Sequence, residues 1–384
     1  MTLSATLTPR FLLAERPGEP LLAHLQRAHP QIHAAAVGLD PTPPCPRTIR
    51  GPDAGGLLRF PEHYRSVVRP LADGAGALVV KGTEPALADF PELVAWMAST
   101  TFRGPANAGH APMLEHLALR EHKVPGALTL REAEREAALA LRVQSLHLAH
   151  YGELARLPVP LAIHRFTGAG LERASAAWRA HLSAAAQEHL REAFAGGLAV
   201  YTYAYPGWPV RVRTHERAQP GEDDAARRRR LASLDVAAVI DRWARLLLRL
   251  LHLGYMPYSY HNETLGACFD VGNACTDGGF VDIDSLTPIS GLRDDGEVFD
   301  ALVASLCGLD RTIDRLVPGD CERETREVLR RGHVWELYRR ALVSEARPGL
   351  TLDPRVRDVI EPLEFSRLLL RLRSRRRATS DFLG

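Results

Sequence analysis

Cysteine is scarce and scattered in this chain. The five residues, Cys45, Cys268, Cys275, Cys307 and Cys321, form no C-x-x-C pair. An odd, widely spaced set indicates neither a disulfide framework nor a cysteine-built zinc site. Long apolar runs are missing as well. The stretch Leu246–Leu253 is broken by Arg249 and His252, and the first twenty residues lack the apolar core of a signal peptide. The expectation is a cytoplasmic protein without a membrane partner. An excess of one charge sign is also absent: Lys+Arg number 48 against 46 Asp+Glu, for a net +2. That balance argues against a protein that coats nucleic acid, and no nucleic-acid partner is expected. The basic runs Arg227–Arg230 and Arg371–Arg377 read as a solvated loop and tail. Sixteen histidines include no H-E-x-x-H or His-x-His cluster. The chain contains no G-x-S-x-G elbow, G-x-G-x-x-G fingerprint, Walker lysine motif or repeat of fixed period.

What is present is enough chain, 384 residues with 46% hydrophobic, for a two-lobed unit with a sizeable core. Residues 1–60 are rich in proline and glycine and read as an irregular arm. Leu78-Val79-Val80 lies between glycines and ends on Lys81-Gly82, the pattern of a short buried strand. Segment 84–128 carries no clear pattern. From Thr129 the composition turns helical, and Glu132 three residues on completes a capping box. Pro158-Val-Pro160 stops that helix. Leu161–Phe166 then reads as a strand, 170–195 as an alanine-rich helix closed by Gly196-Gly197, and Leu198–Tyr205 as a second, aromatic strand. Tyr201, Tyr203 and Tyr205 share one face of it and read as core or interface packing. Beyond Asp235 a long amphipathic helix runs to Gly254. Two short strands, Leu265–Phe269 and Gly279–Ile283, precede a largely helical end. Strands thus concentrate before residue 206 and helices after it.

Phosphoryl and nucleotidyl transfer need few protein parts: a lysine for the phosphates, a carboxylate to hold it, and hard oxygen ligands for magnesium. The segment Tyr260–Gly272 follows a long helix and offers the amide of Asn262, a short strand, and Asp270 in a D-x-G turn whose glycine permits tight geometry. The plainer reading of the same residues is a hairpin with an Asn cap. Lys81 at a buried strand end needs a partner. Glu132 and Glu136, four apart on one helical face, both qualify. Asp282 and Asp284 in VDIDSL form a second acid pair; strand alternation puts them on one face, and Asp282 competes with Asp270 for the metal.

In this order the motifs resemble selenoprotein O, a family of kinase-like proteins that transfer AMP to protein hydroxyls. Leu78–Gly82 is similar to its nucleotide-lysine strand and Arg131–Glu136 to the start of its glutamate helix. Asn262 through Asp270-Val-Gly272 is similar to its metal asparagine and D-Y-G turn, and Gly279-Phe280-Val-Asp282 to its G-F-x-D strand. The matches cover about a fifth of the chain. His261 stands where the family has a catalytic aspartate, and the Asn-to-Asp spacing is one residue shorter. The Arg-rich phosphate-gripping segment has no match, although Lys123 and Arg131 lie nearby, and the tail ATSDFLG has no redox-active residue.

The resemblance implies an α+β, protein-kinase-like two-lobed fold, with an N-lobe over 61–206 and a helical C-lobe over 207–384. It implies ATP as substrate and magnesium as cofactor. Lys81, Glu136, Glu132, Lys123 and Arg131 would serve ATP; Asn262, Asp270 and Asp282 would serve the metal. His261 would be the base, a task a neutral imidazole performs near pH 7. By the resemblance the product is AMP on a protein hydroxyl. The alternatives are phosphate transfer to a small molecule or protein, and a catalytically dead binding protein.

Overall fold

The structure is a computed structural model that describes residues 7–11, 20–37, 66–71, 76–82, 128–166, 183–189, 191–212, 215, 223–257, 273–316 and 345–360. It is a mixed α+β chain with antiparallel sheets. By compactness it divides into two units: residues 1–145 with 158–208, and residues 146–157 with 209–384. The short segment 146–157 groups with the second unit.

The first unit is organised by a six-stranded sheet, made of β1 (Leu7–Phe11), β2 (Ser66–Pro70), β3 (Ala77–Lys81), β4 (Leu128–Thr129), β5 (Val159–Phe166) and β6 (Leu198–Tyr205). The order is β1-β5-β6-β3-β2, with β4 also on β6, and every pairing is antiparallel. β3 and β6 are buried along their whole lengths, which is why both read as continuous apolar or aromatic runs. Directly opposed residues of antiparallel strands share a face. Val67, Val80 and Val200 pack with Phe166 on one side, while Ser66, Lys81 and Tyr201, aligned across three strands, share the other.

Two corrections concern the first sixty residues. Instead of an irregular arm throughout, they contain β1, which pairs with β5 from Leu7↔Phe166 to Phe11↔Ala162, and two helices, α1 (Pro20–Ala28) and α2 (Pro30–Val37). Both helices begin on a proline. Its fixed φ and missing N–H suit the first helical position, so these prolines start helices here. In β1, Pro9 is tolerated because the strand is at the sheet edge.

Helix α3 (Leu130–Tyr151) starts at the foreseen capping box. The Thr129 amide and hydroxyl donate to Glu132 Oε2 at 2.8 and 2.9 Å, and the Glu132 amide donates to Thr129 Oγ1 at 3.1 Å. The Leu130 amide also donates to the Gly197 carbonyl, tying the helix start to the β6 end. Helices α4 (Ala184–His189) and α5 (Arg191–Gly196) occupy part of the expected alanine-rich helix, and Gly197 closes them at φ +95°.

In the second unit, α6 (Asp224–Ala232) and α7 (Val236–His252) each start with an aspartate side chain accepting from a backbone amide, Asp223 from Ala226 and Asp235 from Ala238. A buried stripe including Ile240, Trp243, Leu247 and Leu251 fixes the inward face of α7, and Gly254 at φ +82° follows its end. β7 (Tyr255–Pro257) then pairs with β8 (Leu286–Pro288). Helices α8 (Asp295–Leu316) and α9 (Pro354–Ile360) complete the described elements.

The expected strand Gly279–Ile283 is absent. Phe280 makes one isolated bridge to Ala274, after which Ile283–Ser285 forms a single 3-10 turn. Backbone bonds from the Cys275 amide to the Gly279 carbonyl and from the Val281 amide to the Asn273 carbonyl flank that bridge, while the Gly279 amide goes to Asp277 Oδ1 and the Phe280 amide to the Arg156 carbonyl. Asp282 therefore precedes a turn and Asp284 lies within it, so strand alternation does not apply to them.

Candidate functional site

Lys81 is the last residue of β3. Gly82 follows at φ +93°, and a Cβ there would meet the Ala199 carbonyl oxygen at 2.8 Å, so only glycine closes the strand at this point. The register sets Lys81 opposite Ser66 on one side and Tyr201 on the other. It is only 8% exposed, and its Nζ donates to Glu136 Oε1 at 2.6 Å. Glu136 is 2% exposed and sits seven residues past Thr129, about two helical turns into α3.

Of the two glutamates the sequence offered, Glu136 reaches the lysine. Glu132 is committed to the capping box. The two lie on one helical side, but the first-turn position faces the unsatisfied amides that cap formation requires.

Two charges taken this far from water need each other: removing one partner of such a pair costs about 3–5 kcal/mol, whereas an apolar pair would often do as well for stability. The ion pair is therefore a poor stability device. It is a good way to hold an ammonium with three N–H donors in one place beside a sheet.

Tyr201 adds a third polar group to the same sheet face. It is fully buried, and its hydroxyl has no hydrogen-bond partner among the described residues. Burial pushes its phenol well above the usual tyrosine range, and the charges of Glu136 and Tyr203 add to that. Its ring leans against Tyr203 with centroids 5.4 Å apart, and Tyr203 and Tyr205 are buried as well. The aromatic stripe is core, as read; the placement of Tyr201 directly across from Lys81 had no local sequence signal.

Of the other candidates, Arg131, Asp282 and Asp284 are among the described residues. Arg131 is exposed on the first turn of α3. Asp282 is half-buried and precedes the 3-10 turn without capping it by its side chain; Asp284 lies within the turn. The loop before them is well anchored: Trp243 Nε1 donates to the Gly279 carbonyl at 3.2 Å, and Arg156 pairs with Asp277 at 3.3 Å. His261, Asn262, Asp270 and Lys123 lie outside the described residues, as does the expected strand Leu265–Phe269.

No protein-family model matches the chain, and no curated protein matches it by sequence. Among the described residues, no helix is long and apolar enough to cross a membrane.

Proposed function

We propose that the protein is an ATP- and magnesium-dependent transferase of kinase-like, two-lobed fold. The observation that carries this reading is the enclosed ion pair between Lys81, at a strand end, and Glu136, on the helix that follows in the same unit. A strand lysine held by a helix glutamate is the arrangement by which kinases offer an ammonium to nucleotide phosphates. The connectivity supports it: α3 follows β3 and precedes β5 and β6, and β3 and β5 both pair with β6.

In this reading Lys81 neutralises phosphate charge and Glu136 orients it. Arg131 and Lys123 are further cationic candidates, and Glu132 serves the helix start. Magnesium, when bound, would supply charge neutralisation for the phosphates. Asn262, Asp270 and Asp282 supply the hard oxygen donors that this ion takes, and the half-buried Asp282 carboxylate suits it. By its resemblance to selenoprotein O the transferred group is AMP and the acceptor a protein hydroxyl, with His261 as the base. Phosphate transfer to a small molecule or protein uses the same residues.

The replacement of the family's aspartate by His261 favours a second reading, a catalytically silent ATP-binding protein. Incubation with ATP labelled at either the α or the γ phosphate separates the three. Label from α on protein marks nucleotidyl transfer, and label from γ on an acceptor marks phosphotransfer. A magnesium-dependent thermal shift without either label marks binding alone. No thermal shift with ATP at any magnesium concentration sinks the nucleotide reading altogether.

A further inference from the structure

Lys81 and Tyr201 are directly opposed in the β3–β6 register, so their side chains leave the same face of the sheet. Glu136 reaches that face through its 2.6 Å bond to Lys81. Three polar side chains, 8%, 2% and 0% exposed, therefore share one enclosed corner. A phenol is a proton donor, and a carboxylate carries lone pairs beyond the one a single lysine bond uses. A buried hydroxyl left without a partner is costly, and phenylalanine would fill the same volume without that cost. A hydroxyl buried directly across from the lysine that holds this carboxylate is best explained by that pair.

We propose that Tyr201 is a positioning residue whose hydroxyl holds the Glu136 carboxylate through one buried water. This rests on the reading of Lys81 as a phosphate-binding lysine. When the ammonium is shared with an anionic phosphate, its hold on Glu136 weakens, and a second donor keeps the carboxylate oriented and charged. A water is a sufficient bridge, since buried waters commonly link polar groups of this kind.

The test is Tyr201→Phe in the full chain, made both in the wild type and in a Lys81→Met/Glu136→Met background that removes both charges of this pair. Thermal midpoints without nucleotide are measured for all four proteins, and ATP affinity with magnesium for the wild type and Tyr201→Phe. The expected result is a lower midpoint for Tyr201→Phe in the wild type and no loss in the apolar background. ATP affinity should fall by about tenfold, the size of one lost hydrogen bond to a charged group. A Tyr201→Phe midpoint above that of the wild type, or an equal loss in both backgrounds, overturns the proposal. So does an unchanged ATP affinity in a protein that binds ATP. If the wild type binds no ATP, the transferase reading fails by itself, and the midpoints alone still decide whether the hydroxyl acts through Glu136.

Discussion

Arg249 and His147 meet at 3.4 Å, guanidinium to imidazole Nε2. The guanidinium can only donate, so Nε2 accepts and the ring must be neutral, with its proton on Nδ1 donated to the Glu153 carbonyl at 2.7 Å. Burial is the largest cause that holds this histidine down to about 4 from 6.5, and the Arg249 charge adds to it. The folded state thus binds fewer protons than the unfolded chain between those two values, so stability falls as pH drops through the window from 6.5 to about 4. The loss approaches about 3 kcal/mol at the acid end. Urea unfolding at stepped pH should show this slope, and His147→Asn should flatten it; an unchanged slope in that variant would refute the assignment.

Glu345 depends on the same arginine. It is 2% exposed, its Oε2 accepts from Arg249 Nε at 2.6 Å, and its carbonyl accepts from the Tyr151 hydroxyl at 3.2 Å. Arg249→Met leaves that carboxylate buried with only the more distant guanidinium groups of Arg245 at 3.7 Å and Arg347 at 4.0 Å, and should cost up to about 3 kcal/mol, short of the full penalty of an unpaired buried charge. Arg249→Met/Glu345→Met, which removes both charges, should recover most of the loss. Equal midpoints for the single and double variants would show that burial, not charge, governs this spot.

Lys81→Met should lower the thermal midpoint and abolish the ATP-induced shift. Saturating a site at a hundred times its dissociation constant adds about 2.7 kcal/mol, a readily measured margin. Retention of the full shift in Lys81→Met would remove the lysine from the nucleotide site.

The capping box separates the two glutamates experimentally. Thr129→Ala should cost about 1 kcal/mol by loss of the cap. It should leave ATP affinity within about twofold, since substitutions away from a shared partner act independently. Glu136→Gln, by contrast, should weaken ATP binding. If Thr129→Ala and Glu136→Gln behave alike toward ATP, the division of roles between Glu132 and Glu136 is wrong.

The elements legible in the sequence were those whose signals are local. Thr129 and Glu132 announce α3 three residues apart, and Leu198–Tyr205, bounded by Gly197 and Pro206, is a strand wherever it is placed. The edge strand Leu7–Phe11 carries no alternation and a proline, so only its pairing with β5 reveals it. Pro20 and Pro30 could have marked α1 and α2, because proline at a first helical position is a start signal. Around the site, the need of Lys81 for a carboxylate followed from its buried strand, but the choice between Glu132 and Glu136 did not. Tyr201 across from Lys81, and Arg249 beside Glu345 ninety-six positions away, are products of register and packing that no short window contains.

The capping box also acts as the origin from which the chain counts. With Thr129 fixed and Leu130 tied to Gly197, each later residue of α3 has an assigned bearing around the helix axis. One residue inserted between Glu132 and Glu136 would swing the latter by about 100° and point it away from the lysine. Length variation over the three residues 133–135 is therefore expected to break the pairing, although positions 134 and 135 are exposed. An indel scan of this interval would read out the lysine–glutamate pairing without touching either residue.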